Sequence, residues 1–294
     1  MDIPARLLNG LLMIALPLGL GVFLARRMGQ RWGLYGAGAV TFIASQVLHV
    51  PFNAWILNPR LEGLGFGASG LSRELIVSAI LLGLSSGVFE EGARYLTLRF
   101  WQRQARSWGQ ALMIGAGHGG AEAIIVGILA LMAFFQAVAY RGADLAAIVP
   151  AEQLGAALRQ AQGAAEAQIE AYWAAPWPEA LLGAVERAFS LVVHLALAVM
   201  VMRVFTRRNR LWLAAAIGWH ALVNTLAVIG VQTVGAVATE GIVGVMALLS
   251  LGLIFLLRDK EADTVSEPAR PIPQTEPAMI EPSEVRLEDS RYAD

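Results

Sequence analysis

Val88-Phe89-Glu90-Glu91-Gly92-Ala93-Arg94-Tyr95-Leu96 places two carboxylates and a guanidinium inside an apolar run long enough to cross a membrane. Charged groups are costly at that depth and mark functional sites by default. Glu90 and Arg94 are four residues apart and share a helix face, with Glu91 about 100° further round. Two later apolar runs carry polar groups at the same spacing. They are His118-Gly119-Gly120-Ala121-Glu122 and His220-Ala221-Leu222-Val223-Asn224.

The surrounding composition explains why these charges stand out. Of 294 residues, 56% are hydrophobic and 15% charged, against about 25% charged in soluble domains. The expected fold is an all-α, polytopic membrane bundle of seven transmembrane helices. Its spans run over residues 7–24, 33–57, 75–98, 109–135, 178–204, 211–231 and 235–257, with Pro51 kinking the second. Cysteine is absent, which excludes disulfides, thiol catalysis and thiolate metal sites. Nothing in the composition calls for nucleic acid as a partner; the lipid bilayer is the partner it demands.

Arginine is distributed unevenly between the connections. Arg26, Arg27 and Arg31 follow the first span, Arg99, Arg103 and Arg106 the third, and Arg203, Arg207, Arg208 and Arg210 the fifth. Arg258 and Lys260 follow the seventh. The intervening connections are mixed, acidic or uncharged. The positive-inside rule then predicts an N-terminus outside and a C-terminus in the cytoplasm, in a bacterial plasma membrane. The long connection 141–177 spaces Leu154, Leu158, Ala161, Ala165 and Ile169 as an amphipathic helix on the outer surface, with Trp173 and Trp177 as interfacial anchors. Residues 1–258 form the helical domain. Residues 259–294, acidic and rich in proline, form a disordered cytoplasmic tail.

This topology turns spacing into depth. Glu90 lies nine residues before Arg99, His118 twelve after Arg106, His194 nine before Arg203 and His220 ten after Arg210. At about 1.5 Å rise per residue, all four sit roughly 13–18 Å from the cytoplasmic boundary. Four ionisable groups from four helices in one layer predict a single buried site, opening to the cytoplasmic side. His49 and Glu186 fall outside that layer. Glu186, Ser190 and His194 nevertheless share a face, so Glu186 or Arg187 is expected to brace the site.

A buried carboxylate near histidine can act as general base on water. His220 and Asn224 can stabilise an oxyanion, and Arg94 can hold one glutamate fixed. Alternatively His118, Glu122 and His220 (or His194) hold a metal such as zinc that activates the water. Each element also has a structural reading. Glu91–Arg94 can be an ion pair that only stabilises, His194 and Asn224 can bridge helices, and His49 can satisfy backbone freed by Pro51. Glycines 115, 117, 119 and 120 can serve close helix packing. A proton-coupled transporter would use the same Glu/His layer, although no internal repeat is present. A catalytically silent scaffold for partner helices is a third possibility.

Phe89-Glu90-Glu91-Gly92-Ala93-Arg94, Gly117-His118-Gly119-Gly120-Ala121-Glu122-Ala123, Glu186-Arg187-Ala188-Phe189 with His194, and His220–Asn224 together resemble the YhfC-type intramembrane proteases. These are relatives of the CAAX prenyl-protease and bacteriocin-processing group. The resemblance covers about residues 75–231. It implies an intramembrane peptidase acting on a membrane-associated peptide or protein, with Glu90 activating water and His118 paired to it. His220 and Asn224 would form the oxyanion side, with Glu91, Arg94, Glu122, His194 and Glu186 contributing. In the broader group the arginine follows the second glutamate by four and a phenylalanine precedes the first histidine by four. Here Arg94 follows Glu91 by three, and Ile114 stands in the phenylalanine position. The branch is named for a metal, whereas its prenyl-protease relatives are argued to use glutamate alone.

Overall fold

In the computed structural model, residues 2–62, 71–142 and 156–258 are described, and every regular element among them is helical. Helix α1 spans Asp2–Met28. Helix α2 spans Trp32–Phe52 and runs on through a π-helical turn, Asn53–Leu57, to Glu62. The π turn follows Pro51, which has no N–H to offer the preceding turn. Helix α3, Arg73–Leu96, starts at Ser72, whose side chain accepts from the Leu75 N–H, and ends in a second π turn, Thr97–Trp101. Helix α4, Trp108–Ala139, opens with a reciprocal capping box between Ser107 and Gln110. Helix α5 is Ala156–Ala174. Then come α6, Leu182–Thr206, preceded by one 3-10 turn, α7, Leu211–Thr233, and α8, Ala236–Leu256.

Seven of these helices, all but α5, are long and apolar enough to cross a membrane. The protein is an integral membrane protein with the expected number of spans. Two spans, α2 and α3, are longer than hydropathy alone outlines, because they continue through their π turns. The proposed tail lies outside the described residues, as does Leu154 of the amphipathic connection.

Side-chain contacts define two ends. At the arginine-rich end, Arg106 donates to the Leu98 carbonyl at 2.9 Å and covers the Phe205 ring at 4.4 Å. Trp108 Nε1 donates to the Ile254 carbonyl at 2.9 Å. At the far end, Arg6 donates to the Ala175 carbonyl at 2.7 Å and lies 4.5 Å from the Tyr172 ring. Trp173 Nε1 donates to the Ala137 carbonyl at 3.2 Å, beneath Arg141 at 4.2 Å. Helix α5 is therefore latched to the tips of α1 and α4 through its C-terminal turn.

Helix α6 is the hub. Its apolar window is 72% buried, whereas no other span exceeds 44%. It packs on α1, α4, α7 and α8, and the pairs α3–α7 and α2–α4 close around it. Eight residues of α6 between Val193 and Met202, with Trp108, Ala111, Leu112, Met113, Ile114 and Ala116 of α4, make up most of the core cluster. A hydrophobic driving force between helices is weak in lipid, so close packing has to hold this arrangement. At Gly117 a Cβ would lie 1.9 Å from the Tyr35 carbonyl oxygen of α2. At Gly119 it would lie 2.8 Å from the His194 ring of α6. Bare backbone on both flanks of His118 is what lets α2 and α6 approach it.

Candidate functional site

Helix α3 contributes Glu90, Glu91 and Arg94, α4 His118 and Glu122, α6 Arg187 and His194, and α7 His220 and Asn224. Glu91, Arg94 and His118 are fully buried, and Glu90, His194 and His220 are nearly so. The three imidazoles form a row, with ring centroids 5.2 Å apart for His118–His194 and 5.6 Å for His194–His220. The layer inferred from spacing is thus a physical cluster.

Its hydrogen bonds assign partners. Arg94 Nη1 pairs with Glu91 Oε2, and His220 Nδ1 donates to Glu91 Oε1 at 2.9 Å. Both oxygens of Glu91 are committed, and the second nitrogen of His220 faces Glu90 Oε2 at 3.9 Å. His118 Nε2 lies 3.2 Å from the same Glu90 oxygen. Arg94 Nη2 donates to His194 Nδ1 at 3.3 Å, because a guanidinium can only donate. His194 must then donate through Nε2 to Glu122 Oε2, at 2.8 Å. Arg187 Nη1 holds the other Glu122 oxygen at 2.5 Å, and its Nη2 pairs with Glu186. Bracing by Arg187 was expected from the shared helix face; that it acts on Glu122, across helices, was not.

A cavity of about 180 Å³ adjoins the cluster. Glu90, His194, His220, Asn224, Ser190 and Glu186 are among its lining residues. Ser86, Glu122, Ser190, Asn224 and Ala227 all lie on the far-end side of the Glu90–His194–His220 layer, as their positions along α3, α4, α6 and α7 show. Toward the arginine-rich end, α4 and α6 are packed without a break from Ala111 to Gly117 and from Leu195 to Val204. The space therefore extends away from the arginine-rich end, the end that the positive-inside reading would put in the cytoplasm. Residue spacing gives depth along a helix but not where neighbouring helices part.

The expected metal set, His118, Glu122 and His220, meets competing bonds. His118 and Glu122 do share a face of α4, but Arg187 and His194 from α6 intercept Glu122; Glu91 holds His220 through Nδ1 and leaves its Nε2 facing Glu90. Glu90, His118 and His194 also bring ligand atoms within 4.8 Å of one another, but His194 would bind an ion only by giving up its bond to Arg94 or to Glu122. The other ring nitrogen of His118, Nδ1, is buried with no hydrogen-bond partner, while Nε2 faces Glu90. Two imidazoles and a carboxylate form a donor set of the kind zinc takes.

Three residues of α2 also belong to this region. Gln46 Nε2 donates to Glu90 Oε1 at 3.3 Å, His49 Nδ1 lies 3.3 Å from Gln46 Oε1, and Asn53 Nδ2 lies 3.0 Å from His49 Nε2. His49 is bonded to side chains rather than to backbone released by Pro51. The signal was present as polar residues at i, i+3 and i+7 on one face of an apolar helix.

This arrangement can be set against known proteins. The sequence profile described as "YhfC intramembrane metalloprotease" matches residues 12–247. The chain belongs to that family. It is 29% identical over 252 residues to a Bacillus subtilis (strain 168) protein named "Uncharacterized membrane protein YhfC", covering 83% of this chain and 92% of that one. No solved structure matches the chain. The match spans five of the seven crossing helices entirely and part of the first and last, and includes every residue of the cluster.

Proposed function

We propose that the protein is an intramembrane endopeptidase that hydrolyses a peptide bond of a membrane-associated substrate. The observation that supports this reading is the cavity lined by Glu90, His194, His220 and Asn224, with His118 held against Glu90. Water and a peptide carbonyl can meet a carboxylate base and amide or imidazole groups only where such a space exists.

Glu90 is the base. It takes a proton from water as the oxygen attacks the carbonyl carbon, and returns it to the amine nitrogen when the C–N bond breaks. Asn224 donates to the developing oxyanion. Because His220 donates through Nδ1 to Glu91, it reaches the same role only with a second proton on Nε2. The Glu91 carboxylate is placed to balance that charge. In the alternative scheme Glu90 would be a ligand rather than the base, and Glu90 and His118, with His194 released from Arg94 or Glu122, would hold a divalent ion such as zinc, which when bound supplies Lewis acidity toward water and carbonyl oxygen. Glu122 fixes the ring of His194, and Arg187 fixes Glu122.

By the positive-inside rule the arginine-rich end faces the cytoplasm, so substrate reaches the cavity from the outer half of the bilayer. The chain has no cysteine, so single cysteines at Trp177 and Arg208 can report orientation in intact cells. The expected result is labelling of the first and protection of the second by an impermeant maleimide; the reverse pattern would invert the topology.

Activity is tested with purified protein in proteoliposomes and dye-quenched casein, alongside single-span peptides. Glu90→Gln should lower cleavage by about 10³-fold without reducing yield. Cleavage at the wild-type rate in that variant removes Glu90 from the mechanism. Metal analysis of the same preparation, with activity before and after chelation, separates the two water-activating schemes.

A further inference from the structure

We infer that Gln46 and His49 are positioning residues that commit one oxygen of Glu90 as a fixed acceptor and leave the other, Oε2, to meet the reacting water. This rests on the hydrolytic reading of the site. It concerns a helix, α2, that carries none of the motif residues.

A run of hydrogen bonds, with its direction set from both ends, links Ser85 to Glu90. Ser85 Oγ of α3 donates to Asn53 Oδ1 at 2.8 Å, which turns the Asn53 amide nitrogen toward His49 Nε2, 3.0 Å away. An amide nitrogen only donates, so that ring nitrogen accepts, and a neutral His49 carries its proton on Nδ1. Nδ1–H then donates to Gln46 Oε1, at 3.3 Å, and leaves the Gln46 amide nitrogen to face Glu90 Oε1, at 3.3 Å.

Ser45 fixes the same orientation independently. Its hydroxyl donates to the Phe42 carbonyl at 2.6 Å, so its oxygen accepts from Gln46 Nε2 at 3.3 Å. Running the chain the other way would set the Gln46 carbonyl oxygen against a carboxylate oxygen, two acceptors face to face. The ring plane of His49 is held by Phe89, stacked at 5.4 Å and 26°, with Phe52 behind it. His49 and Ser85 are both buried, so water does not compete freely for these links.

The consequence falls on Glu90. Oε1 faces α2 and accepts from Gln46. Oε2 faces His118 Nε2 at 3.2 Å and His220 Nε2 at 3.9 Å, on the side of the cavity that His220 lines. A carboxylate that could rotate would present either oxygen. The chain from Ser85 removes that freedom, and such pre-organisation is worth most in a site of low dielectric.

The experiment has two independent arms. The chain contains four histidines, so the protein labelled with [¹⁵N]histidine gives a short list of ring signals in detergent, and His49→Gln assigns one set. The expected result is His49 protonated at Nδ1 with Nε2 bare; protonation at Nε2 overturns the chain, whatever the enzyme does. In the second arm, Gln46→Leu should lower kcat on dye-quenched casein by about 10–100-fold. KM should stay within about twofold and the unfolding temperature should not change. His49→Leu should behave similarly, and His49→Asn, whose amide nitrogen replaces Nδ1–H, should regain most of the loss. Wild-type kcat in Gln46→Leu, or a loss confined to KM or thermal stability, overturns the positioning role while hydrolysis stands. A wild type that cleaves no substrate removes the hydrolytic reading itself, and with it the task assigned to Oε2.

Discussion

The site contains the same three-part unit twice, in two environments. In one, Glu91 joins Arg94 and His220; in the other, Glu122 joins Arg187 and His194. Both carboxylates give one oxygen to a guanidinium and one to an imidazole. Glu91 and Arg94 are wholly buried, whereas the Glu122 side chain is 24% exposed and opens on the cavity. The second arginine also reaches Glu186, whose side chain is 43% exposed. The inner unit is thus a closed ion pair inside packed helices. The outer unit is a clamp that runs from a site histidine to the cavity's wetter margin. One chemical motif serves as a fixed frame in the first place and as an adjustable support in the second.

The largest effect should come from breaking the frame. Glu91→Gln leaves the Arg94 guanidinium buried without a carboxylate, and loss of one partner from a buried pair costs about 3–5 kcal/mol. Thermal unfolding in detergent should show that loss directly, together with reduced insertion. Adding Arg94→Met to Glu91→Gln should recover much of the stability, because the stranded charge is gone, but not the orientation of His220. A double variant as unstable as Glu91→Gln alone would show that Arg94 matters through its bond to His194 rather than through the ion pair.

The inner unit was the more legible of the two in the sequence, and the reason is local. Glu91 and Arg94 are three residues apart on one helix, so their pairing follows from helical geometry. Seven spans were readable because each needs a long apolar run, and the common depth of Glu90, His118, His194 and His220 followed from a fixed rise per residue. The outer unit joins residues 65 and 72 positions apart, and no periodicity within one helix encodes which side chain of α6 meets Glu122. Sharing a face of α4 likewise did not tell that Arg187 and His194 take both oxygens of Glu122. Gln46 and Asn53 were overlooked because amides carry no charge to draw attention, although His49 stood between them. The direction of the cavity depends on where α3, α7 and α8 separate from α6, which hydropathy does not report.

Smaller effects should grade along the outer unit, and their order tests whether it acts as a clamp with a working end. Glu122→Gln keeps an acceptor for His194 but weakens the hold of Arg187, which still has Glu186. Loss of an outer carboxylate that orients a site histidine typically costs about 10–100-fold in metal affinity or activity, so cleavage and metal retention should both drop within that range. Stability should change far less than in Glu91→Gln. Glu186→Gln removes only the exposed end, where solvent screens the pair and its worth is about 0–1 kcal/mol; unfolding temperature and kcat should stay close to wild type. Measured side by side, the two variants should therefore differ mainly in activity. If Glu186→Gln proves as damaging as Glu122→Gln, Arg187 needs both carboxylates to hold its place, and the margin of the cavity is as rigid a frame as the buried pair below it.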